Sequence, residues 1–256
     1  MTEVARAAEE KAGAPLHRRL IVQSKAEVAM ALRRGESLLV TLGIPLILLV
    51  FFAEVHAFTV AHEKPIDFLA PGILALAVMS TAMVSLGIAT GFERGYKYLK
   101  RLGSTPLGRP ALITAKVAGV LVLEIIQVAL ILAVAAGLGW NGGGNAGEVI
   151  AVMILGTIAF SGIGLLLAGS LKAEVNLAVT NGLYIVLLLV GDMIVPLSRY
   201  PGWLAAIAKA LPAAALAEGL SHSLGHSGGV PGSSWAVLII WAVAAPAAAA
   251  LAWRWE

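Results

Sequence analysis

Six stretches of about twenty residues run along this chain with almost no charge in them, and nothing else restricts its fold as strongly. They cover roughly Ser37–Ala53, Phe68–Gly91, Pro110–Gly139, Val149–Leu171, Val175–Val195 and Trp235–Trp253. At about 1.5 Å per residue, about twenty helical residues cross the roughly 30 Å hydrocarbon core of a bilayer. Soluble domains do not carry several such runs. They also hold about 25% charged residues, where this chain has 13%. The expectation is an all-α integral membrane protein with six transmembrane helices.

The first run is short for a span and the third long enough to tilt or project. Pro110 suits the first turn of a helix, whereas Pro45 falls inside the first span and should kink it. Orientation follows from the basic residues. With the N-terminus inside, fifteen of the eighteen Lys and Arg lie on the cytoplasmic side, leaving Lys64, Arg199 and Lys209 outside. The positive-inside rule therefore puts both termini in the cytoplasm. No apolar core leading to a cleavage site precedes the first span, so no secretory signal peptide is evident.

Between the spans the chain divides further. Residues 1–15 read as a disordered cytoplasmic tail, and residues 16–256 as one six-span domain. In segment 16–35, Leu20, Ile21, Val28, Ala31 and Leu32 share a helical face, with Arg18, Arg19, Lys25 and Arg33 elsewhere. Such a basic amphipathic helix should lie in the membrane interface. Segment 92–109, FERGYKYLKRLGSTPLGR, has five basic residues against one acid and reads as a short cytoplasmic helix ended by Gly103 and Pro106. Segment 196–234 is too broken by Pro201, Gly202 and Pro212 to span, and too apolar for a free loop. Its first part should dip into the outer leaflet as one or two short helices, followed by a flexible linker from Ser221.

The absent chemistry is informative. The chain has no cysteine, which excludes disulfides, thiol catalysis and Cys-based metal sites. No G-x-x-x-x-G-K-[ST] loop, H-E-x-x-H or nucleophile elbow is present, so no catalytic residues are assigned and ATP binding by that route is excluded. His222 and His226 are four apart, but their glycine-rich surroundings argue against a helical metal site; no metal site and no nucleic-acid partner are expected. Glu124 is the one acid deep in a span. A group there normally faces the bundle interior or a wet cavity, here as a proton relay, a contact for a cationic substrate, or a structural residue paired with Gln127. Lys116 should snorkel to the cytoplasmic surface. Asn176 and Asn181, with Asp192 near the outer end of the fifth span, could line a polar path that also takes in Glu124, although capping and interhelical hydrogen bonding are the readings that these side chains favour.

The order of these parts resembles the type-2 ABC export permeases, in particular the short drug-resistance permeases of the daunorubicin-exporter kind, over about residues 16–253. Two segments carry the resemblance. In the first, Glu93, Arg94, Gly95, Lys97, Leu99, Lys100, Leu102, Thr105 and Pro106 follow the family's coupling-helix pattern, which docks into the ATP-binding subunit. In the second, Pro201, Trp203, Pro212 and Glu218 match its external re-entrant helices; Ala213-Ala214-Ala215 departs from the family's polar or aromatic residue after the second proline. The resemblance implies the membrane subunit of an ATP-driven exporter for hydrophobic or amphipathic cargo in a bacterial inner membrane. It implies no cofactor in this chain, ATP and Mg being bound by a partner ABC ATP-binding subunit, and a second permease chain alongside. A proton-coupled secondary transporter centred on Glu124 is the alternative.

Overall fold

The computed structural model describes residues 15–33, 35–54, 65–99, 108–225 and 229–252. Among them the chain is helical or loop, with no strand. Among the described residues ten α-helices follow one another: α1 (Leu16–Arg33), α2 (Gly35–Glu54), α3 (Pro65–Met79), α4 (Leu86–Gly95), α5 (Arg109–Gly137), α6 (Ala146–Ser170), α7 (Ala173–Val190), α8 (Gly202–Lys209), α9 (Pro212–Leu224) and α10 (Gly232–Ala252). A π-helical segment, Ser80–Ser85, joins α3 to α4, so the two act as one long rod, Ile66–Gly95.

That rod, α5, α6, α7 and α10 are each long and apolar enough to cross a bilayer. α2 carries a shorter apolar stretch, Thr41–Glu54, and continues through Pro45 as helix. α8 and α9 meet at 83°, a geometry of a broken span or a re-entrant pair. The chain is a multi-pass helical membrane protein, and all six apolar runs fall on these helices. The fifth stops at Val190 instead of Val195, because the chain turns at Gly191 and Asp192, the latter at φ +59°.

Helix ends follow local chemistry. Asn145 caps α6, its side-chain oxygen accepting from the backbone N–H of Gly147 and Glu148, two donors the first turn leaves unpaired. Proline opens both α5 and α9, where its missing N–H costs nothing. α6 is the hub, packing along α10 and against α4, α9 and α3. Lipid supplies no hydrophobic drive between helices, so close backbone approach matters most. A Cβ on Gly162 would lie 2.5 Å from the Pro246 nitrogen of α10, and one on Gly164 2.6 Å from the Met83 carbonyl oxygen.

α9 is the reverse of a surface element. Pro212, Ala213, Ala214, Ala215, Leu216 and Ala217 are buried against α3, α6 and α10. The three alanines are small because the bundle closes round them. α9 also runs on to Leu224, taking in Ser221 and His222, so the expected linker begins later; His222 is helical and His226 lies outside the described residues.

Candidate functional site

At the end of the bundle where α4 stops and α5 begins, α1 lies along α5. Gly119 makes this possible, since a Cβ there would sit 3.1 Å from the Cβ of Glu27. The face of α1 turned inward is Leu20, Ser24, Glu27, Val28 and Ala31, while Ile21, Val22 and Leu32 are exposed. The apolar face expected of this helix is split: Leu20, Val28 and Ala31 turn inward with Glu27, while Ile21 and Leu32 face outward beside Arg18, Lys25 and Arg33.

The Lys116 Nζ of α5 donates to Glu93 Oε2 at 2.7 Å and to Glu27 Oε2 at 3.0 Å. Lys116 is 2% exposed and Glu93 8%, and Gln23 donates to the other Glu27 oxygen at 2.8 Å. Lys116 does not snorkel. With α1 laid over that end of α5, a position near the membrane surface becomes interior, and the ammonium is held by two carboxylates. Removing one partner of such a buried cluster costs about 3–5 kcal/mol.

Arg94, the next residue, points the other way. Its guanidinium donates to the carbonyls of Gly169 and Leu171, satisfying the exposed end of α6, where the helix dipole favours a cation. Glu93 and Arg94 thus tie the end of α4 to α1, α5 and α6 at once. Beyond Gly95 the chain reverses through Lys97, at φ +61°, and turns back so that Leu99 is fully buried. Tyr98 approaches Met30 of α1, its hydroxyl 4.0 Å from the sulfur. Burial, then the charges of Glu27 and Glu93, hold the Tyr98 hydroxyl above its usual pKa.

Of the residues assigned to docking, Glu93, Arg94 and Leu99 are turned into the protein, whereas Gly95 and Lys97 form an exposed tip. Tyr96, 78% exposed and stacked on Phe92, completes that tip and escaped the sequence reading. Lys100, Leu102, Thr105 and Pro106, with the ends proposed at Gly103 and Pro106, lie outside the described residues.

Deeper in the bundle, Gln127 does not pair with Glu124. It accepts from Thr81 of the π segment at 2.8 Å and donates to the Thr41 carbonyl of α2 at 2.9 Å. No periodicity announces that π segment. Glu124 instead accepts from the Thr157 hydroxyl of α6, and its Oε1 has no hydrogen-bond partner. Asn176 is buried, donating to the Gly87 carbonyl at 3.0 Å and accepting from Thr180 at 3.1 Å; it clamps α7 to α4. Asn181 is exposed and bonds its own helix at Leu177. Glu124, Asn176 and Asn181 therefore face different neighbours and do not meet.

At the opposite end, Pro201 and Pro212 open α8 and α9, Trp203 is exposed, and Glu218 accepts from Ser234 of α10. Asp192 accepts the Leu197 N–H at 2.7 Å. Burial pushes the Asp192 carboxyl above its usual pKa, against that bond.

Compared with protein families, residues 19–224 match the one described as ABC-2 type transporter. No curated protein matches the chain.

Proposed function

The chain belongs to the ABC-2 type transporter family, and on that premise we propose that this permease subunit serves an ATP-driven exporter. In that reading it moves a hydrophobic or amphipathic cargo (drug, lipid or glycolipid-like) out of a bacterial cytoplasm or inner leaflet. A separate ATP-binding subunit binds ATP and Mg, and a second permease chain completes the pathway. Both termini are cytoplasmic, α1 is the interfacial helix, and α8 with α9 is the external re-entrant pair. The exposed mix of Ile21, Val22, Leu32 and basic residues on α1 supports an interfacial position.

One observation carries the reading: Glu93 and Arg94 weld the end of α4 to three other helices, and the Gly95–Lys97 tip beside them is exposed. A partner pressing that tip would move α1, α4, α5 and α6 as a body, which is how packed elements transmit a switch. The welded pair and the tip therefore have separate duties. The test is co-purification with the ATP-binding subunit and measurement of stimulated ATP hydrolysis. Substituting Tyr96 and Lys97 by Ala should weaken association about tenfold while leaving the melting temperature of the permease unchanged; Glu93→Ala should lower that temperature. If the tip variant binds and stimulates the ATPase normally, docking lies elsewhere.

A further inference from the structure

An open-sided cleft of about 810 Å³ runs between α5 and α6, from the 138–145 connection and Leu224 down to Glu124, with Ile125 and Ile150 of its wall exposed. Its size falls within the range of small-molecule sites. Leu121, Ile125, Val128, Val149, Ile150 and Met153 supply much of its wall, and Glu124 is its sole ionisable lining residue. Glu124 is 2% exposed, and one carboxyl oxygen, Oε1, is without a partner.

The other oxygen is poorly served too. Its donor is the Thr157 hydroxyl, which also lies 2.9 Å from the Met153 carbonyl. One hydroxyl proton serves two acceptors. A structural carboxyl at this depth would be expected to collect several donors, as the acids round Lys116 collect an ammonium. Glu124 has an apolar chamber in front of it and no cation among the residues that line it.

We propose that this chamber is a binding site for an amphipathic amine, its ammonium on Glu124 and its apolar body between α5 and α6. This deepens the permease reading by giving the cargo a chemical class, and it rests on that reading for the step of transport, though not for binding. From Glu124 to the end of α5 at Gly137 is about 20 Å at about 1.5 Å per residue. An elongated guest with its head at Glu124 would lay its tail along α5 toward Trp140. Charge complementarity selects the amine over a neutral or anionic amphipath, and the shared Thr157 hydroxyl leaves the carboxylate free to turn to it.

The experiment uses the full chain in lipid nanodiscs with tritiated N,N-dimethyldodecylamine and an uncharged dodecyl amide of similar length. Wild type should bind the amine at least about tenfold more tightly than the amide, a difference of about 1.4 kcal/mol. Glu124→Gln, nearly identical in shape, should reduce that preference to within about twofold. Met153→Trp should weaken both ligands by filling the chamber. Thr157→Val, which removes the contested donor and keeps the carboxylate, should preserve the preference, so one poorly folded variant does not decide the result. Equal affinities in wild type, a preference surviving Glu124→Gln, or lipid tails occupying the chamber so that Met153→Trp changes nothing would each overturn the site. The permease reading fails separately, when no ATP-binding subunit co-purifies.

Discussion

Lys116 and Glu124 lie on the same helix, just over two turns apart, and each is 2% exposed. Their surroundings differ in kind. Lys116 reaches two carboxylates from two other helices, at 2.7 and 3.0 Å. Glu124 has a share in one hydroxyl and an open chamber. A buried charge with all its partners inside the protein is a joint, since its energy is gained only when the helices stay together. A buried polar group left short of partners is costly to maintain, and a place to look for a ligand. α5 therefore carries a joint near one end and a socket at mid-depth.

The largest effect expected is at the joint. Lys116→Met should destabilise the protein by about 3–5 kcal/mol by leaving Glu27 and Glu93 buried together without their cation. It should be seen as a lowered melting temperature in detergent, or failure to purify. The triple variant Lys116→Met, Glu27→Gln, Glu93→Gln removes all three charges and should recover much of that loss. If Lys116→Met melts like wild type, the cluster is no joint and the contrast with Glu124 collapses.

Next comes Arg94→Ala. It removes a guanidinium from the Gly169 and Leu171 carbonyls, worth about 1.5–3 kcal/mol for hydrogen bonds to a charged group. Arg94→Lys should restore only part, since a single ammonium cannot reproduce a two-pronged donor. Smaller again is Thr81→Val. Gln127 loses its Thr81 donor and keeps the Thr41 carbonyl, a cost of about 0.5–1.5 kcal/mol. Were Thr81→Val as damaging as Arg94→Ala, the π segment would belong with the joint.

The contrast also explains what could be read from the sequence. Spans were legible because hydropathy over twenty residues is local; each of the six apolar runs lies on a helix. The break before α9 was legible through Pro201 and Pro212. Which neighbour a polar residue meets was not. Lys116 sits near the start of α5, where a free helix would let it reach the surface, and only α1 lying over it turns the position inward. Ile21 and Leu32 show the same limit, because periodicity gives a helix its faces without saying which is covered. Gln127 lies one turn from Glu124, yet reaches a π segment with no sequence signature. Glu124 was legible as a problem, an acid too deep for comfort, but not the chamber in front of it.

Asp192 is a further carboxyl of interest and tests the contrast most gently. It lies outside the spans, partly buried, with one backbone donor, Leu197. Burial raises its pKa above the ordinary value of 3.8; the Leu197 bond opposes this, Glu218 adds to it, and Lys209 opposes it. A raised folded-state value means that the fold favours the neutral acid. Its contribution is complete below the ordinary value and is lost as pH rises through the raised one. Wild type should therefore lose stability from pH 4 to pH 7 relative to Asp192→Asn, which keeps an acceptor for Leu197 and tolerates the left-handed backbone. Melting curves of the two should coincide at pH 4 and separate at pH 7 with the variant higher, by less than any effect above. The opposite order at pH 7 would mean that one backbone N–H outweighs partial burial, and that Glu124, with its single shared donor, needs no guest to be tolerated.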